Sequence, residues 1–160
     1  MYKWLTFNTI LFLFGIWFGI ILPFPYIHKA VIFAVIGLFF ILFNWSFHGI
    51  FLEIRTIQNR KRKVKLAKIA KKIMPFHMYT GLTAFLFVTI HVVLIIESYG
   101  FQWRSTKMIT GVIAFTVIIA QVTSGILRKL KATGKRRRFH LRNAFLLFFA
   151  IFIHILMGNF

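Results

Sequence analysis

The chain has no cysteine, three prolines and two acidic residues, Glu53 and Glu97, against 21 Lys and Arg in 160 residues. Each scarcity excludes something. Without thiols there are no disulfides, no thiolate metal sites and no thiol redox chemistry. With two acids and no thiol, a zinc site of the usual clustered ligands fits badly. Polar surface is also short, since 59% of residues are hydrophobic and 19% aromatic. A soluble domain of this length needs more polar residues than that.

What is present is a set of long apolar runs separated by charged stretches. The formal charge of +19 suggests nucleic acid at first sight, but its distribution argues otherwise. Nine of the cations lie in residues 55–72 and eight in residues 128–142. Charge confined to segments between apolar runs is what the positive-inside rule produces. Anionic lipid headgroups are the expected partner of such charge, and nucleic acid is not.

The reading is an all-α, polytopic membrane protein, a single domain of five transmembrane helices at about 4–22, 29–51, 76–96, 107–127 and 139–157. One Lys precedes the first apolar run and no small-residue cleavage pattern follows it, so 4–22 is expected as a retained helix rather than a removed leader. Pro23 and Pro25 end it. Pro75 stands where the third helix begins, a position proline tolerates. Two basic loops, 55–73 and 128–138, are expected on the cytoplasmic side. The first is either a solvated loop or an amphipathic helix lying on the membrane. Two helices separate these loops, so both can face the same side. That places the N-terminus inside the cell membrane and the C-terminus outside.

Four histidines organise the second half. His77 and His91 are fourteen positions apart, and so are His140 and His154. Fourteen steps of roughly 100° return a helix to the same face, and at 1.5 Å per residue they cover about 21 Å. Each helix therefore shows two imidazoles on one stripe, one toward each side of a bilayer about 30 Å thick. The two helices are one crossing apart and run parallel. Matched by depth, the pairs are His77 with His140 and His91 with His154. Ionisable groups inside a membrane are costly and usually functional, and two stacked His–His sites suit two b-type hemes. With no cysteine, any heme is held without a covalent link. Small residues one turn from a ligand, Gly81 after His77 and Ala144 after His140, would let a flat macrocycle approach, as would Ala150 and Gly158 around His154. Arg128, Lys129, Arg138 or Arg142 at one end and Arg104 or Lys107 at the other are positioned to meet propionates. His28 and His48, twenty positions apart, face opposite sides and do not repeat the pattern; His48 is a reserve ligand at the depth of His77. Gln121, Thr123 and Ser124 read as packing polars, and Glu97 as a salt-bridge partner of Arg104 or Lys107.

Several stretches carry a resemblance. They are His77-Met78-Tyr79-Thr80-Gly81, His91, Gly111-Val112-Ile113, Ser124-Gly125-Ile126-Leu127-Arg128, Arg136-Arg137-Arg138 and Phe139-His140-Leu141-Arg142. Together they resemble the ferric reductase-like transmembrane domain, over roughly the last half of the chain. That family includes ferric reductases, NADPH oxidases and the heme-binding membrane subunit of bacterial methionine-sulfoxide reductase. The resemblance implies bis-histidine b-type heme and electron passage across the membrane. The first two helices carry no motif of the family, and the chain has no Gly-rich dinucleotide fingerprint.

The expectation is a di-heme b-type membrane cytochrome. Electrons would enter on the cytoplasmic side from a flavoprotein or a quinol and leave to an outer acceptor. The chain would then be a transmembrane oxidoreductase or the electron-transfer subunit of one. The alternatives are a quinol-linked heme b oxidoreductase, a heme sensor or carrier, and a heme-free scaffold whose histidines bond between helices.

Overall fold

The computed structural model describes residues 29–157 and, ahead of them, Thr6, Thr9, Ile10 and Leu13. The expected first helix, 4–22, falls almost wholly outside the described residues. Among these the chain is all-helical: α1 (Lys29–Thr56), α2 (Arg60–Ile73), α3 (Phe76–Tyr99), α4 (Thr106–Leu130) and α5 (Gly134–Leu156). Four of them, α1, α3, α4 and α5, are long and apolar enough to cross a membrane. Their outward faces stay apolar. Leu86, Ile113 and Phe149 each expose more than half of their surface, as suits contact with lipid rather than water.

Local chemistry sets the ends. Asn59, Ser105 and Thr133 each accept a hydrogen bond from the backbone three residues on and so cap α2, α4 and α5. Gly100 ends α3 at φ 67° while its N–H reaches the Ile96 carbonyl at 2.9 Å, a backbone setting that glycine adopts without strain.

The basic segments are more helical than loops would be. Of the two alternatives for 55–73 the helical one holds: α1 continues to Thr56 and α2 fills Arg60–Ile73. The stretch 128–138 shrinks to a turn of three residues, 131–133, because α4 continues to Leu130 and α5 starts at Gly134. Lys and Arg are good helix formers, so charge marks where a helix leaves the apolar layer and not where it stops.

The helices pack as two close antiparallel pairs, α1 with α3 and α4 with α5, and α3 touches α4 more lightly. The first pair closes on small residues. A Cβ added to Gly37 of α1 would come within 2.9 Å of Val88 Cγ2 and 3.5 Å of the Ala84 carbonyl on α3. Thr80 Oγ1 and Asn44 Oδ1 bond across the same seam at 2.8 Å. The pairs meet through aromatic rings. Phe85 of α3 stacks on Phe115 of α4 at 6.1 Å, and Trp45 of α1 stacks on Phe148 of α5 at 4.9 Å. α3 and α5 thus each touch both α1 and α4, and their facing stripes meet inside the bundle.

The α1–α3 seam gives a direct test. Gly37→Ala should cost about 1–3 kcal/mol, as an added methyl does in a close-packed core, read as thermal unfolding in detergent. Val88→Ala in the same chain should recover part of that loss, because one of the two methyls it removes is the one the new Cβ meets.

Candidate functional site

The site is built from α3, α4 and α5. His77 on α3 and the buried His140 on α5 face each other with ring centroids 6.3 Å apart and planes at 83°. At the other end of the bundle stand His91, near the end of α3, and His154, near the end of α5. The fourteen-residue spacing on parallel helices thus brings His77 and His140 ring to ring and leaves His91 and His154 toward the opposite end.

Hydrogen bonding determines which nitrogen of each ring carries the proton. Ser124 Oγ donates its single hydrogen to the Gln121 carbonyl at 2.7 Å. The same oxygen lies 2.8 Å from His140 Nδ1, where it must accept, so Nδ1 holds the proton. The lone pair of His140 is then on Nε2. Gln121 Nε2 approaches that nitrogen only to 3.4 Å, and Asn143 orients the amide by donating to Gln121 Oε1 at 3.0 Å.

At the far end a hydroxyl again faces a ring nitrogen, at a longer distance. Thr110 Oγ1 donates to the carbonyls of Thr106 and Lys107 at 2.9 and 3.0 Å and stands 3.4 Å from His154 Nδ1. His91 Nδ1 lies 2.9 Å from the Ala30 carbonyl, which can only accept. Two of the four rings, His140 and His91, thus have Nδ1–H directed at an oxygen on another helix and the lone pair on Nε2. Metal-ligating histidines are held in this way by their surroundings. The fourth, His77, has a buried Nδ1 with no hydrogen-bond partner.

Glycines on α4 make room for the rings. A Cβ added to Gly125 would meet His140 Cε1 at 3.4 Å, and one added to Gly111 would meet His154 Cε1 at 3.0 Å. Sequence reasoning missed both roles, along with those of Ser124 and Thr110. The signal was there: Thr110-Gly111 and Ser124-Gly125 are themselves fourteen apart, which is the step of the histidines they face.

The expected space-makers and cations fare unevenly. Gly81 faces Asn44 of α1, 3.5 Å from where its Cβ would be, so the room it leaves is against α1. Ala144 and Ala150 are half-buried. Arg128 lies within electrostatic range of both His77 and His140. Arg104, Lys129, Arg138 and Arg142 are exposed. Lys107 does not serve Glu97; it donates to the carbonyls of His154 and Ile155 at 2.7 and 3.3 Å and so closes the end of α5. His48 packs its ring against Trp45 and Phe145 at 5.2 and 5.1 Å, and its Nε2 is buried with no hydrogen-bond partner. His28 and Gly158 lie outside the described residues. Among the described residues no three His or Glu converge on a metal-sized site, so what the bundle offers is pairs of imidazoles.

Comparison with protein-family models, curated proteins and solved structures finds no match.

The Ser124 contact can be isolated. Ser124→Ala strips the acceptor from a buried N–H and should destabilise the protein by about 1–3 kcal/mol. The exposed neighbour Thr123→Ala should leave thermal unfolding in detergent unchanged within about 0.5 kcal/mol.

Proposed function

We propose that the chain is a di-heme b-type membrane cytochrome of the ferric reductase-like kind. In this reading His77 and His140 hold one heme and His91 and His154 the other. One observation carries it: His77 and His140 meet ring to ring in an apolar bundle, and His140 and His91 have the proton anchored on Nδ1, leaving Nε2 basic. Bound heme supplies a one-electron centre that switches between ferric and ferrous iron. The chain's own contribution is to hold the rings and exclude water. Ser124 and Thr110 fix the ring planes, and Gly111 and Gly125 let the rings lie against α4. Arg128 supplies positive charge beside the His77–His140 pair. Two pairs about 21 Å apart along the helices divide the span into steps, so electrons would enter on the cytoplasmic side, beside the basic segments, and leave outside. The donor is a cytoplasmic flavoprotein or a quinol. The chain is then an electron-transfer subunit or itself reduces an outer acceptor.

A second reading has its own support. The hydrogen bonds of His91 to α1 and of His140 and His154 to α4 would equally serve a heme-free scaffold, in which buried imidazoles tie helices together.

The reduced-minus-oxidised spectrum, with heme measured per polypeptide, separates the two. Protein purified from heme-replete cells should carry two low-spin b hemes. His77→Ala and His140→Ala should each remove the same one, and His91→Ala and His154→Ala the other. His48→Ala should keep both. A colourless protein would leave the scaffold reading standing. Reduction by added quinol in membranes stripped of flavoprotein would identify the donor as a quinol.

A further inference from the structure

Between α1 and α3 lies a helix that the bundle leaves largely uncovered. Eight of the fourteen residues of α2 are Lys or Arg and none is acidic. Pairs such as Lys61 and Lys65, or Lys68 and Lys72, stand four apart, where like charges repel. A helix of fourteen residues is marginal in water even without that repulsion. Four of its six apolar residues, Leu66, Ile69, Ala70 and Ile73, follow steps of three and four and fall on one stripe, with Val64 and Ala67 outside it. Only Ala70 is buried, and Ile69 remains 40% exposed. The helix therefore needs a partner that offers anions along one side and an apolar boundary along the other.

Its tethers narrow the choice. α1 ends at Thr56 and α3 begins at Phe76, so three residues at one end and two at the other fasten α2 between two membrane-length helices. The 28 residues of α1 measure about 42 Å at 1.5 Å each, which exceeds a hydrocarbon core of about 30 Å and carries the end of α1 into the headgroup layer. We infer that α2 lies in the plane of the membrane and binds anionic phospholipid, its lysines and arginines among the phosphates and its Ile69 stripe in the acyl boundary. The corner that follows leads straight to the site, because His77 N–H bonds to the Met74 carbonyl at 3.1 Å just beyond the end of α2. Lipid held by α2 thus sets the level at which α3, and with it His77, enters the bilayer. The inference rests on the four long helices being spans and does not depend on any prosthetic group.

The cysteine-free sequence permits a clean test. Ile69→Cys and Lys68→Cys would each be labelled with an environment-sensitive fluorophore in the full chain. Both would be reconstituted into phosphatidylcholine vesicles, with and without phosphatidylglycerol, and with a quencher carried on the lipid chains. With phosphatidylglycerol the Ile69→Cys label should be quenched at least twofold more than without it, and the Lys68→Cys label should stay in water. Raising salt to about 1 M, where the screening length falls to roughly 3 Å, should abolish the difference. Equal quenching of the Ile69→Cys label in both vesicles would remove the anionic lipid from the proposal. A label that stays in water in both, but moves on adding polyglutamate, would assign α2 to an acidic protein and overturn it. Neither outcome would bear on heme content, which the spectrum reads separately.

Discussion

In an apolar bundle without water, every polar hydrogen must find an acceptor on a neighbouring helix or be left at a cost. That constraint shapes the arrangement around the four histidines. An imidazole has one hydrogen to place when neutral, and for His140 and His91 the helices α4 and α1 provide where it goes: Ser124 and the Ala30 carbonyl. Once Nδ1 is committed, the ring plane is fixed and the other nitrogen is defined as a base. Packing then follows. Ser124 and Thr110 are each followed by a glycine because a ring whose Nδ1 reaches a side-chain oxygen at the helix surface needs the adjoining position to be bare.

The helices contribute different things to this. α1 and α3 close tightly on Gly37, Ala84 and Val88 and hold His91 through a backbone carbonyl. α4 is the surface on which both rings of α5 rest. Lys107, from the start of α4, binds the last carbonyls of α5 and so fixes the two helices relative to each other at the His154 end, while Arg136 of α5 bonds back to the Leu127 and Lys131 carbonyls at the other end. Lys107 thus ties the two helices at the end where no turn joins them, and Arg136 braces the turn 131–133 at the other.

The sequence showed the spans and the histidine stripes plainly, because hydropathy reports depth and a fourteen-residue step reports helix face. It misplaced the helix ends at Leu130 and Gly134 for the same reason: hydropathy falls where a helix enters the headgroups, yet Lys and Arg continue it. Gly81 follows His77 by four, but a residue's face is shared by two neighbours, and here Asn44 takes it. The hydroxyl–glycine pairs on α4 escaped notice since Ser and Thr in a membrane helix are common and mean nothing until the helix opposite is known. Only the α4–α5 register, visible in the fold, turns them into partners of His154 and His140.

That register has a consequence for how such a chain can change length. The rings of α5 and the pairs on α4 work as two rulers laid in opposite directions with equal divisions. One residue gained or lost between His140 and His154 turns everything beyond it by about 100°, and the far ring then faces lipid or a neighbouring helix instead of Thr110 and Gly111. No shift elsewhere restores it, since the other ruler keeps its divisions. The stretches from Gly111 to Gly125 and from His140 to His154 are therefore frozen in length, and variation in size is left to the turns 100–105 and 131–133 and to α2.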